Sequence, residues 1–137
     1  MESHLISIHH IGVVVSNIRT KSEFYVNKLG YRPESGIVHE TNQKVLVQFL
    51  TFGNYRIELI QPVGEDSPVY RFLQKQGVIN HLCYQTDDID SSVLFFRKEY
   101  EAVLTSAPEW SCSIDECRVA FLAKPDGEVI ELVQLNE

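Results

Sequence analysis

Basic residues are scarce in this chain: 12 Lys and Arg stand against 19 Asp and Glu, a formal net charge of −7. Nucleic acid and anionic membrane surfaces both demand a basic face, so neither is an expected partner. A local basic pocket for an anionic small molecule is still compatible with this balance. Cysteine is equally sparse. Cys83, Cys112 and Cys117 form no CxxC pair, and an odd number cannot all pair within one chain. They read as reduced thiols, which points to the cytoplasm. Long apolar runs are missing: nothing approaches the roughly 20 residues of a membrane helix. The opening Met1-Glu2-Ser3-His4 has neither the basic segment nor the apolar stretch of a signal peptide. What remains is 137 residues, 44% apolar and 23% charged, enough for one hydrophobic core without staples.

Comparing the chain with itself reveals a repeat. His10-Ile11 matches His81-Leu82 at an offset of 71, and Ile18, Ser22, Tyr25 and Leu29 match Ile89, Val93, Phe96 and Tyr100 at the same offset. Each set has the i, i+4, i+7, i+11 spacing of one helical face. Phe49-Leu50 matches Phe121-Leu122 at an offset of 72, and Ile57-Glu58-Leu59-Ile60-Gln61 matches Ile130-Glu131-Leu132-Val133-Gln134 at 73. Two single-residue insertions in loops account for the drift. Each half therefore reads as strand, helix, then further strands. Strands are predicted over 6–15, 36–40, 44–52 and 55–62, then over 78–86, 102–106, 117–124 and 128–135. Asn17 is positioned to cap the first helix and Gly30 to end it; Asp87 or Asp88 caps the second. Pro125-Asp126-Gly127 is a turn between the last two strands, and Gly64-Glu65-Asp66-Ser67-Pro68 leads into a short helix with Ser67 as N-cap and Gly77 as stop.

Strand alternation singles out four residues. Ile57 and Leu59 share one face and put Glu58 on the other; Ile130 and Leu132 do the same for Glu131. The apolar faces suit the two amphipathic helices, leaving each Glu on the opposite side of its sheet, where an unpartnered buried carboxylate would be costly. If the halves pair about a pseudo-twofold axis, His10 and His81 stand beside Glu58 and Glu131 as the ligands of one divalent cation. Imidazole and carboxylate suit Zn, Ni, Co, Mn or Fe, with zinc the default. Four protein ligands in an octahedral shell leave two positions open for water or substrate. His9 lies in the opposite strand phase and aligns with Asn80, while His4 and His39 lack repeat partners, so all three fall outside the expected ligand set, as do the cysteines.

These motifs resemble the vicinal oxygen chelate superfamily of glyoxalases, bleomycin-resistance proteins and extradiol dioxygenases, over essentially the whole chain. Within it the chain is most similar to the methylmalonyl-CoA epimerase family. The similarity rests on His10-Ile11-Gly12-Val13-Val14-Val15, Phe24-Tyr25 with Leu29-Gly30-Tyr31, Ile57 to Pro62, Gly64 to Pro68 with Phe72-Leu73, and Asn80-His81-Leu82 before Asp87-Asp88-Ile89. The resemblance implies an α+β fold, two βαβββ modules whose curved mixed sheets form a cleft around a metal. It implies one domain over 1–137, with modules at about 5–62 and 78–135 joined by a helix at about 67–76. It also implies a metal held by His10, Glu58, His81 and Glu131, an acyl-CoA as the small-molecule substrate, and a homodimer as the expected assembly. The implied chemistry is proton removal beside a thioester carbonyl by one carboxylate and proton return by a second acid. Glu131 resembles one of the two family carboxylates. The place of the other, before Gln43, holds Asn42, which cannot transfer a proton; Glu40 lies two residues earlier on the same strand face and is the substitute candidate. Two other classes stay open: a different metal-dependent reaction, such as glyoxalase-type lysis or isomerisation, and a binding or resistance protein without chemistry.

Overall fold

The computed structural model describes residues 2–67, 69–71, 79–110 and 117–135. Chain contacts divide it into two compact units, one of His10–Asn80 and the other of Met1–His9 with His81–Glu137. Each unit is built on the same α+β plan, a mixed sheet with one helix.

In the first unit the strand β1 (Leu5–Val14) contributes its second half and leads into α1 (Ile18–Leu29), followed by β2 (Arg32–Pro33), β3 (Val38–Glu40), β4 (Val45–Phe52) and β5 (Tyr55–Pro62). The strand order is β2-β4-β5-β1, with β3 also on β4. β5 runs antiparallel to β4 and parallel to β1, with Gly12 opposite Glu58. Strands β2 and β3 are one edge strand broken at 34–37. Pro33 pairs with Leu50 but Val38 with Val47, a two-residue slip in register. Pro33, with no N–H to give, is tolerated at such an edge. The Ser35 hydroxyl accepts the Phe49 N–H across the gap (3.0 Å).

The second unit repeats the plan with β6 (Ile79–Thr86), α2 (Ile89–Tyr100), β7 (Val103–Trp110), β8 (Cys117–Ala123) and β9 (Val129–Leu135), in the order β6-β9-β8-β7. β6 and β9 are parallel, with Cys83 opposite Glu131. The two modules are therefore βαβββ units, as expected. The start of the chain is fastened to this second unit. The His4 carbonyl accepts Thr86 Oγ1 (3.0 Å), the Ser3 carbonyl accepts Ser92 Oγ (2.7 Å), and His4 Nδ1 meets Asp87 Oδ1 at 3.0 Å.

Each helix packs on the sheet face away from the candidate ligands. Ile18, Leu50, Ile57 and Leu59 form the buried centre under α1; Ile89, Val93, Phe96, Leu122, Ile130 and Leu132 do so under α2. The predicted helical faces are buried unevenly: Ile18 on α1 and Ile89, Val93 and Phe96 on α2 are buried, while Leu29 and Tyr100, the last residue of each face, are 45% and 48% exposed. Asn17 and Asp88 cap the helices, their side chains accepting Thr20 N–H (3.0 Å) and Ser91 N–H (3.1 Å). Hydrogen bonds from the Ser91 side chain and amide hold the Asp88 carboxyl below the usual carboxylate range. The Ser67 carbonyl accepts the Tyr70 N–H, and among the described residues its buried hydroxyl has no hydrogen-bond partner. The remainder of the expected 67–76 helix, its Gly77 stop and Cys112 lie outside the described residues.

The helix ends break the repeat. α1 stops at Gly30 with φ +85°, whereas α2 stops at Glu101 with φ +55°, left-handed backbone in which Cβ is strained. Replacing Glu101→Gly is expected to stabilise the protein by about 1 kcal/mol, and Gly30→Ala to destabilise it by a similar amount. Urea denaturation of both variants checks this; an unchanged midpoint for Glu101→Gly would show that its left-handed backbone carries no strain.

Candidate metal and proton-transfer site

In the first unit, His10 and Glu58 sit on neighbouring parallel strands. Glu58 is opposite Gly12, two residues beyond His10, so strand alternation puts both side chains on the face away from α1. His10 is 1% exposed and Glu58 7%, and Nε2 of the ring lies 3.3 Å from Oε1 of the carboxylate. In the second unit His81 and Glu131 reproduce the arrangement: they are 4% and 4% exposed, with Nε2 and Oε1 2.7 Å apart. Both pairs present the same imidazole nitrogen to the carboxylate. Each residue offers one nitrogen or carboxylate oxygen suited to a divalent ion. Two neutral imidazoles and two carboxylates are the donors that first-row divalent ions take, and a cation compensates the desolvation of buried carboxylates. The donor set therefore fits such an ion.

A third residue completes each pair. Phe49 stands opposite Glu58 on β4 and meets the His10 ring edge-on, with centroids 5.3 Å apart; Phe121 stands opposite Glu131 on β8 and meets His81 likewise at 5.7 Å. The two phenylalanines are visible in the sequence repeat, but their role is not, because a strand Phe reads simply as core. Here each fixes the tilt of an imidazole and excludes water beside it.

Much of the rest of this face is apolar. Val14, Val45, Val47 and Ile60 cluster in the first unit, with Val38 and Val69 against them. Cys83, Cys117, Val119 and Val133 cluster in the second, with Phe121 and Leu135. Cys83 is fully buried, opposite Glu131, and carries a ligand atom within 4.8 Å of one on His9. The sequence reading set both aside; the fold puts them near each other in the second unit, through the end of β1 that joins it.

Glu40 is 8% exposed, not a solvated edge residue. It pairs with Val45, which pairs in turn with Pro62, so Glu40 shares the sheet face of Val45, Val47, Phe49 and Glu58. It stands two strands and four residues away from Glu58, roughly 10 Å across and 13 Å along an ideal sheet. That offset puts Glu40 beyond reach of an ion held at Glu58, yet on the face along which an extended substrate would lie. Asn42 sits in the exposed turn that follows. His39 is exposed and His4 is the Asp87 partner described above.

The sequence profile of the Glyoxalase/Bleomycin resistance protein/Dioxygenase superfamily matches residues 9–121. The mitochondrial methylmalonyl-CoA epimerase of Mus musculus is 35% identical over 131 residues, covering 93% of this chain and 72% of that protein. The crystal structure of methylmalonyl-CoA epimerase from Mycobacterium tuberculosis superposes with a TM-score of 0.86 at 22% identity, over 100% of this chain and 93% of that one. A methylmalonyl-CoA epimerase in complex with methylmalonyl-CoA and NH4+ superposes with a TM-score of 0.84 at 25% identity, over 96% and 95% of the two chains. No helix among the described residues is long and apolar enough to cross a membrane. Profile, identity and fold agree: the chain belongs to the glyoxalase/bleomycin resistance protein/dioxygenase superfamily and, within it, to the family of the methylmalonyl-CoA epimerases, which are enzymes.

Proposed function

We propose that the protein is a metal-dependent epimerase of an acyl-CoA thioester, with His10, Glu58, His81 and Glu131 holding one divalent ion. The observation that carries this reading is the buried His–Glu pair, built twice with the same atoms facing and the same phenylalanine behind each ring. A solved epimerase in complex with methylmalonyl-CoA supports the substrate class. When bound, the ion supplies a Lewis acid for the negative charge that develops on the acyl oxygen.

The chain's own residues move the proton. Glu131 takes the α-hydrogen as a proton through the oxygen not spent on ligation, and the electron pair of the broken C–H bond delocalises into the thioester carbonyl. The proton returned to the opposite face of the α-carbon, which inverts the configuration, comes from the Glu40 carboxyl through one bridging water, since Glu40 stands too far from the ion site for direct contact. Solvent then returns both carboxyls to their starting states. The valine-rich surface around Glu40 keeps bulk water from the reacting carbon. Asn42 takes no part in proton transfer.

Metal analysis is expected to find one divalent ion per chain, lost in His81→Ala and in Glu131→Gln and kept in His9→Ala and Cys83→Ser. Full retention in the first two variants would remove the ligand assignment, and loss in Cys83→Ser would move the thiol into the ligand set. Glu40→Gln is expected to lower epimerisation of methylmalonyl-CoA, and solvent-deuterium exchange at its α-carbon, about 100-fold or more at unchanged metal content. Unchanged turnover would eliminate Glu40 as the second acid. A rise in turnover in Asn42→Glu would assign that role to the turn instead.

A further inference from the structure

A hydrogen bond that the ligand pairs do not use occurs once in each unit. The side chain of Gln61 reaches back from β5 and its Oε1 accepts the N–H of Ile18, the first residue of α1, at 2.9 Å. Gln134 does the same from β9 for Ile89, the first residue of α2, at 2.8 Å. Each glutamine lies three residues past a candidate ligand carboxylate, Glu58 or Glu131, and on the opposite sheet face. The first N–H of a helix has no acceptor within the helix, and here it belongs to an isoleucine that is 2% or 0% exposed, so water is a poor substitute. The caps Asn17 and Asp88 serve a different donor, two residues further on, and do so locally. Among the described residues, only the glutamines hydrogen-bond the helix starts to the strands that carry the glutamates.

The tie acts on register. In the first unit β1 runs directly into α1, and beyond the ladder the Val15 N–H donates to the Ile60 carbonyl at 2.8 Å. The adjacent Gln61–Ile18 bond closes the same corner. A slide of β5 along β1 by one residue would lose both bonds and turn Glu58 to the helix face, away from His10. A fractional slide would lengthen the His10–Glu58 approach first. Gln134 stands in the same relation to His81 and Glu131, one residue beyond the pairing of Gln85 with Val133.

We infer that Gln61 and Gln134 are positioning residues for the metal ligands, each setting the carboxylate of its module against the histidine of the same module. The inference rests on the metal-site reading proposed above. It is tested by Co2+ titration of the metal-free protein and its variants, with thermal unfolding of each metal-free form in parallel. Gln61→Leu and Gln134→Leu are expected to weaken Co2+ binding about 10-fold or more, the usual effect of losing a group that orients a ligand. Asn17→Ala removes the other bond at the start of α1 and serves as the stability control; it is expected to lower Tm and leave Co2+ affinity within about twofold, since the cap orients no ligand. Gln61→Glu keeps an acceptor oxygen at a half-buried site with no acidic residue in the first turn of α1, and is expected to restore the parent affinity. Equal Co2+ affinity in Gln61→Leu, Gln134→Leu and Asn17→Ala would overturn the positioning role, as would a Gln61→Glu protein that folds and still binds Co2+ weakly. Retention of Co2+ by both His81→Ala and Glu131→Gln would overturn the metal site itself, and the two failures are told apart by which variants keep the ion.

Discussion

Everything at the candidate site depends on the parallel pairing of the first and last strand of each module. Gly12 opposite Glu58, and Cys83 opposite Glu131, place a carboxylate one ladder step from a histidine on the same face. Parallel strands have no hairpin to fix their register, so it must come from the crossover and from side chains. The amphipathic helix supplies the crossover, the leucines and isoleucines beneath it supply the burial, and Gln61 and Gln134 each supply a hydrogen bond from strand to helix start. A one-residue error would exchange the apolar and carboxylate faces, which no partial repacking could repair.

Burial makes the pairs chemically demanding. A carboxylate that is 4% or 7% exposed has lost most of its water, and the neighbouring imidazole restores only part of that hydration. Such a site is paid for elsewhere in the fold. Leu50, Leu59, Leu122 and Leu132, all fully buried, lie in the cores beneath the helices. Phe49 and Phe121 then serve two purposes, filling the sheet face and holding each ring edge-on.

The two modules are similar but not interchangeable. The first closes its helix with a glycine and breaks its edge strand at 34–37; the second closes with Glu101 and keeps a continuous but irregular edge, with register shifts between Leu104 and Glu109. The first alone has Glu40 on the face of its ligand pair, beside a valine cluster; the corresponding face of the second carries two thiols, Cys83 and Cys117. Glu40 stands on the sheet, whereas Asn42 lies in the solvent-exposed turn that follows.

The sequence by itself determined the duplicated plan, the caps at Asn17 and Gly30, a second cap at Asp87 or Asp88, and the strand face of His10, Glu58, His81 and Glu131 within each half. Alternation and helical spacing are local properties that a linear string carries in full. It also named Glu40, by phase alone. It could not say that Glu40 is buried, that Phe49 and Phe121 brace the imidazoles, or that the glutamine ending each Ile-Glu-Leu motif holds a helix start. Those facts depend on contacts between residues some 40 to 45 positions apart and on which strand lies beside which. The left-handed Glu101 and the broken edge at 34–37 escaped for the same reason: local preference argues against the one and is silent about the other, and only packing against the neighbouring strands decides them.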